Sequence, residues 1–158
     1  MEEVCCRMQE GIGRILTRLA IAHSAVSENC FAEIGLHKGQ AGVLFALWEV
    51  DGQSQVQLAR ALGITPPTVN GLIAKLERGG FVKARPCRED GRLKRIYLTE
   101  KGREIRVIAE RQAMAIEGLL LEGFSEIEKH TAILILGKIA DNLRLTRSES
   151  AESTTSAI

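Results

Sequence analysis

Between Pro86 and Gly102 the chain reads PCREDGRLKRIYLTEKG, which places five basic side chains, Arg88, Arg92, Lys94, Arg95 and Lys101, around one Asp90-Gly91 step. Guanidinium and ammonium groups at that density suit phosphate neutralisation and attraction to a narrow minor groove. A solvated charged hairpin looks the same in isolation. The surroundings separate the two. The 158 residues carry a net charge of only +1, yet residues 60–106 hold 12 Lys/Arg against 5 Asp/Glu. That stretch is +7, and each flank is −3. A basic centre between acidic ends points to a polyanionic partner that the total charge conceals.

Other residues capable of chemistry are scattered. Cys5, Cys6, Cys30 and Cys87 show no C-x-x-C spacing, so neither a zinc site nor a disulfide framework is indicated, and a reducing, cytoplasmic setting is expected. Arg7 beside Cys5 and Cys6, and Arg85 and Arg88 beside Cys87, would favour thiolate; Cys5, Cys6 and Cys30 are the candidate redox residues. Packing as small hydrophobes is their simpler role. His23, His37 and His130 have no carboxylate or histidine at ligand spacing, so no metal or cofactor is expected; His37 reads as a helix start and His23 as a core residue. No G-x-S-x-G, P-loop or H-E-x-x-H is present, so no enzyme is indicated. No segment has the ~18 apolar residues of a membrane span, and the acidic N-terminus lacks a signal core.

The elements that must position the basic residues follow from periodicity and capping signals. Apolar residues at Ile12, Ile15, Leu16, Leu19, Ala22 and Val26 predict a helix over 3–27, and Val43, Leu44, Leu47 and Trp48 one over about 38–50. Asp51-Gly52 stops the second. Ser54 and Gln57 form a capping box for a third helix, closed at Gly63. Thr65-Pro66 opens a fourth, with Val69, Leu72, Ile73 and Leu76 inward and Gly79-Gly80 at its end. Two strands, 81–86 and 94–99, flank the Asp90-Gly91 turn. Thr99 starts a helix to about 121. Ser125 and Glu128 cap a last one to about 145, and the Ser/Thr-rich tail 148–158 reads as disordered.

Two helices joined by a short glycine-containing turn make a helix-turn-helix. On its second helix Pro67, Thr68, Asn70, Gly71 and Lys75 lie off the apolar face, where a reading helix meets base edges or phosphates. A helix-turn-helix can also be a protein-interaction module. A basic hairpin placed directly after it is more specific than either part, and favours double-stranded DNA.

These stretches resemble the MarR family of winged-helix transcription regulators. The resemblance runs from Leu36 to about Ile105 through HKGQAGVLFALWEV, VQLARALGITPPTVNGLIAKLERGGFVKARP and REDGRLKRIYLTEKG, with the wing pattern Asp90-Gly91-Arg92 and Leu98-Thr99-Glu100-Lys101-Gly102. It implies a mainly α fold: a winged helix-turn-helix over 36–102 with a two-stranded β wing, between dimerisation helices 3–30 and 103–147, within a single domain 1–147. It implies a homodimeric repressor on a near-palindromic operator, released by a small-molecule effector. Arg92 would enter the minor groove, Asp90 would brace the wing, and Thr68 and Asn70 would face bases. Thr65, Pro67, Gly71, Lys75, Arg85, Arg88, Lys94 and Arg95 complete the expected DNA surface. Gly71 and Gly91 stand where many members carry Arg. The family's layout puts the effector near Arg14, Leu16, Phe45 and Trp48. A thiol-sensing repressor, or an interaction module without specific DNA binding, are the alternatives.

Overall fold

The computed structural model describes residues 11–86 and 94–155, with side chains as far as residue 143. Its elements are α1 (Ile12–Ala32), α2 (Lys38–Glu49), β1 (Gln53–Ser54), α3 (Gln55–Leu62), α4 (Pro66–Arg78), β2 (Val82–Pro86), β3 (Lys94–Leu98), α5 (Glu100–Glu104), α6 (Arg106–Leu120) and α7 (Glu126–Thr155). Residues 1–116 and 117–158 form two compact units.

Side chains satisfy the backbone groups at most helix starts. His37 Nδ1 accepts from Gly39 N–H at 3.0 Å, and Gln40 Oε1 accepts from His37 N–H at 2.9 Å, opening α2. Ser54 and Gln57 do the same reciprocally for α3, at 3.3 and 2.8 Å. Ser125 N–H donates to Glu128 Oε2 at 2.8 Å before α7. The Ser125 hydroxyl and then its amide hold the Glu128 carboxyl below its ordinary range, so this cap persists at neutral pH and is lost in acid. Gly11 before α1 has no side chain to cap with, and Thr65, expected as an N-cap, does not act as one. It precedes α4 but caps no backbone N–H; its hydroxyl bonds the Thr68 hydroxyl at 2.9 Å.

The core lies inside the first unit. Leu36, Leu44, Leu47, Leu58, Leu76 and Ile96 are its largest fully buried side chains, each contributing roughly 1.5–3 kcal/mol by leaving water. They come from α2, α3, α4 and β3 and the segment before α2, so the helix-turn-helix and the sheet share one interior. The C-terminal half of α1 joins it through Phe31.

Three expectations need correction, and the sheet gains a strand. The first helix ends at Ala32 rather than 27, because nothing in SENCFA breaks it and Phe31 is buried on its inner face; residues 3–10 of the expected helix lie outside the described residues. The two wing strands are as expected, and the sheet gains a third, in the order β1-β3-β2. Gln53 and Ser54 pair antiparallel with Ile96 and Arg95, and two residues are too few for an alternation to be read in sequence. The helix from Thr99 is interrupted at Ile105 into α5 and α6. The last helix continues to Thr155, past the end expected near 145, with no Gly or Pro between residues 145 and 155 to stop it.

Gly102 marks the tightest seam. A Cβ there would lie 2.1 Å from the Phe81 carbonyl oxygen, and the Gly102 carbonyl accepts from Trp48 Nε1 at 2.9 Å. Gly102→Ala should therefore lower unfolding free energy by about 2–4 kcal/mol in urea titrations followed by the fluorescence of Trp48. Gly118→Ala, where an added Cβ meets nothing within 4 Å, should stabilise slightly. Equal midpoints for the two variants would contradict this packing.

Candidate nucleic-acid interface

The apolar side of α4 is fixed by burial of Val69, Leu72, Ile73 and Leu76. This leaves Pro67, Thr68, Asn70, Gly71, Ala74 and Lys75 exposed, with Thr65 just before them. Pro66 and Pro67 stand at the first two helical positions and carry no N–H. The turn into α4 is only Gly63-Ile64-Thr65, so α3 and α4 are held as a pair, both packed on α2. Gly39 of α2 and Leu72 of α4 are in direct apposition, a Cβ at Gly39 falling 3.0 Å from a Leu72 methyl.

The wing leaves α4 through residues 79–81. Register fixes which of its side chains share a face. Lys83 lies opposite Tyr97, and Arg85 opposite Arg95. Ala84 and Ile96, also paired, belong to the other, inward face. Lys83, Arg85 and Lys94 are exposed, and the Arg85 guanidinium sits 5.8 Å from the Tyr97 ring centroid. Arg88, Asp90 and Arg92, with Cys87, lie outside the described residues.

Two of the five basic residues at the hairpin do structural work instead. Arg95 is half-buried, and its Nη1 donates to the Gly52 carbonyl at 3.1 Å. Lys101 Nζ donates to the Gly79 carbonyl at 2.7 Å and covers the Phe81 ring at 4.3 Å. The Thr99 hydroxyl donates to the Gly80 and Phe81 carbonyls at 2.6 and 3.0 Å. Together Lys101 and Thr99 pin the corner between α4 and the wing.

Residues that the sequence did not assign to the site also position this surface. Asp51 Oδ1 accepts from Leu98 N–H at 2.9 Å and from Gly52 N–H at 3.0 Å, while Oδ2 pairs with Arg103 at 2.7 Å. In sequence Asp51-Gly52 signalled only a helix stop. Gly52 itself has φ +76, and a Cβ there would fall 2.7 Å from the Tyr97 ring, so both backbone and space require glycine. Arg78 and Lys83 add exposed positive charge that the motif did not single out.

The expected effector residues are not brought together. Phe45 lines a pocket of ≈ 580 Å³ walled by α1, α2 and the turn after α3, with Phe31, Leu62 and Ile64 as its apolar side. Its polar residues are His23, Ser24, Ser27 and Lys38. Trp48 stacks edge-on against Phe45 at 5.0 Å, but its N–H is committed to Gly102. Arg14 and Leu16 belong to the far half of α1 and do not line this pocket. His23, expected in the core, is exposed beside it, 3.4 Å from Ser27 Oγ. Lys38 Nζ donates to Ser24 Oγ, tying α2 to α1 across the pocket rim. Cys30 is half-buried against the core; Cys5 and Cys6 lie outside the described residues.

A helix-turn-helix with a basic β wing rooted in the same core defines a winged-helix DNA-binding protein. Residues 34–93 match the model of the MarR family. The helix-turn-helix type transcriptional regulator YybA of Bacillus subtilis (strain 168) is 28% identical over 130 residues, 82% of this chain and 87% of that protein. A MarR-family transcriptional regulator from Listeria monocytogenes, solved with a 26mer DNA, superposes with a TM-score of 0.77 at 28% identity, over 85% of this chain and 89% of its own. BpsR of Bordetella bronchiseptica, whose DNA binding is regulated by 6-hydroxynicotinic acid, gives 0.76 at 25% identity, over 82% and 98%. Over the winged helix-turn-helix the chain is thus similar to the MarR family, and over most of its length to transcriptional regulators.

Gly71 offers a test that separates folding from reading. A Cβ there meets nothing within 4 Å, so the fold does not require glycine at this exposed position. Gly71→Ala should stabilise the protein by about 0.5–1 kcal/mol in thermal melts. If α4 approaches DNA along this face, the same variant should bind its duplex more weakly; a stabilised variant with unchanged DNA affinity would move the reading face elsewhere.

Proposed function

We propose that the protein works as a homodimer on a near-palindromic operator, as a repressor released by a small aromatic anion. The observation that carries the DNA reading is the exposed polar face of α4 adjoining a basic wing within the one positively charged stretch of the chain. Thr68 and Asn70 would contact base edges, Lys75 and the wing lysines phosphates, and Arg92 the minor groove.

Exposed apolar residues support the dimer. Ile12, Ile15, Leu19 and Ile21 on α1, Val107, Ile108 and Met114 on α6, and Ile127, Ile133, Leu134, Ile135 and Leu136 on α7 are each about half to four-fifths exposed in the single chain. Apolar exposure of that extent, in each of the two units by itself, marks faces for association. The flanks carrying it are acidic and the winged part is basic, which keeps those helices off the duplex. No helix among the described residues is long and apolar enough to cross a membrane, in keeping with work on cytoplasmic DNA.

The ≈ 580 Å³ pocket is of the size that takes a small ligand, with aromatic and aliphatic walls and a lysine at its rim. The regulation of BpsR by an aromatic acid supports an anionic aromatic effector here. Such a ligand acts only through preference for the geometry that does not fit DNA.

Enrichment of duplexes from a random pool, followed by salt titration, tests the DNA reading. An inverted repeat with half-sites about one helical turn apart is expected, its affinity falling steeply with salt. Asn70→Ala should cost ~1–3 kcal/mol at one base step per half-site, and Arg92→Ala should weaken binding and relax preference for A·T flanks. An unchanged motif in both variants would remove α4 and the wing from recognition. Aromatic carboxylates, 6-hydroxynicotinic acid among them, are then screened for release of the selected duplex. Lys38→Met should weaken a responding acid roughly tenfold; an undiminished response would place the effector elsewhere.

A further inference from the structure

We propose that Glu77 is a positioning residue that fixes the wing to α4, so that helix and wing meet DNA at one set spacing. The inference rests on reading α4 and the wing as the two DNA-contacting elements. Glu77 lies in the last turn of α4, is exposed, and accepts from Ala84 N–H through Oε1 at 2.9 Å. Ala84 is the middle residue of β2, which is an edge strand. Its N–H is turned away from β3, toward the open edge. Pro86, two residues on and therefore on the same side of the strand, has no N–H to offer. The carboxylate thus occupies a donor that the sheet leaves free, and spans seven residues to do so.

The joint beneath it needs such a brace. Between α4 and β2 stand only Gly79, Gly80 and Phe81, and Gly80 has φ +74. Thr99 and Lys101 hold the carbonyls of those three residues, which fixes the corner. They do not touch the middle of β2. The swing of the strand about the corner is restrained by Glu77 reaching across. Attraction to DNA is no reason for a carboxylate on this helix, since a negative charge among phosphate-binding residues opposes binding. Nor does the core depend on an exposed side chain. What remains is geometry: with β2 locked, a base read by Asn70 and a minor-groove flank met by the wing lie a constant number of base pairs apart.

The experiment uses the duplex enriched by the wild-type protein and versions with the wing-side flank displaced by one or two base pairs from the half-site. Glu77→Gln keeps an acceptor and loses the charge; Glu77→Asp keeps the charge and loses the reach; Glu77→Ala loses both. Wild type and Glu77→Gln should bind the original spacing best. Glu77→Asp and Glu77→Ala should lose roughly five- to tenfold on the original duplex and bind displaced duplexes within about twofold of it, with melting temperatures near that of the wild type. Tighter binding by Gln and Ala at unchanged spacing would reduce Glu77 to a repelling charge and overturn the proposal. Self-association of the Ala variant with spacing preserved would make it an edge guard and overturn it equally. Failure of the wild type to enrich any duplex would instead sink the DNA reading beneath it.

Discussion

The Asp51 carboxylate is the contact on which the arrangement turns. One oxygen takes the amides of Gly52 and Leu98, and the other takes the Arg103 guanidinium. The end of α2, the last residue of β3 and the linker helix α5 are thereby referred to one group. The ion pair alone would be worth little, because both partners reach solvent. The amide bonds are different. They fix where β3 ends on its return from the wing, and Arg95 at the other side of Gly52 closes the same turn. The wing's root is therefore defined by a turn that precedes the helix-turn-helix in sequence, more than forty residues from the strand it holds.

That distance explains what could be read from the chain and what could not. Helix boundaries set by local chemistry were legible: Ser54 with Gln57, Ser125 with Glu128, and His37 at the start of α2 are each contained within four residues. The apolar face of α4 was legible from the spacing of Val69, Leu72, Ile73 and Leu76, and with it the exposed set Pro67, Thr68, Asn70, Gly71 and Lys75. Interactions between remote segments were not. Asp51 looked like a helix stop, Gln53-Ser54 was too short to look like a strand, and Glu77 looked like one more solvated charge on a helix end. Trp48 was judged by its family position as a pocket residue, whereas its indole N–H is used by Gly102, a partner no local pattern could name.

The same lesson applies to the charges. Counting lysines and arginines located the basic stretch correctly but could not divide it. Arg95 and Lys101 spend their donors on carbonyls at the two ends of the wing's base, while Lys83, Arg85 and Lys94 remain turned to solvent. A basic side chain near a short turn has two competing uses, and the backbone acceptors within its reach decide between them.

Pro66 and Pro67 carry a consequence for how affinity and selectivity are divided. A helix beginning with ordinary residues presents several amide donors to an anion at its first turn. With two prolines there, α4 retains the Thr68 amide but loses the pair ahead of it. On the proposed reading α4 would thus come with a blunted backbone grip on phosphate, and apart from Lys75 its contribution would pass through side chains that distinguish one base from another. Most of the sequence-blind attraction would fall to the lysines and arginines of the wing. Substitutions in the two elements would then tune strength and choice of target almost separately, which would give the scaffold freedom to change operators without losing its hold on DNA.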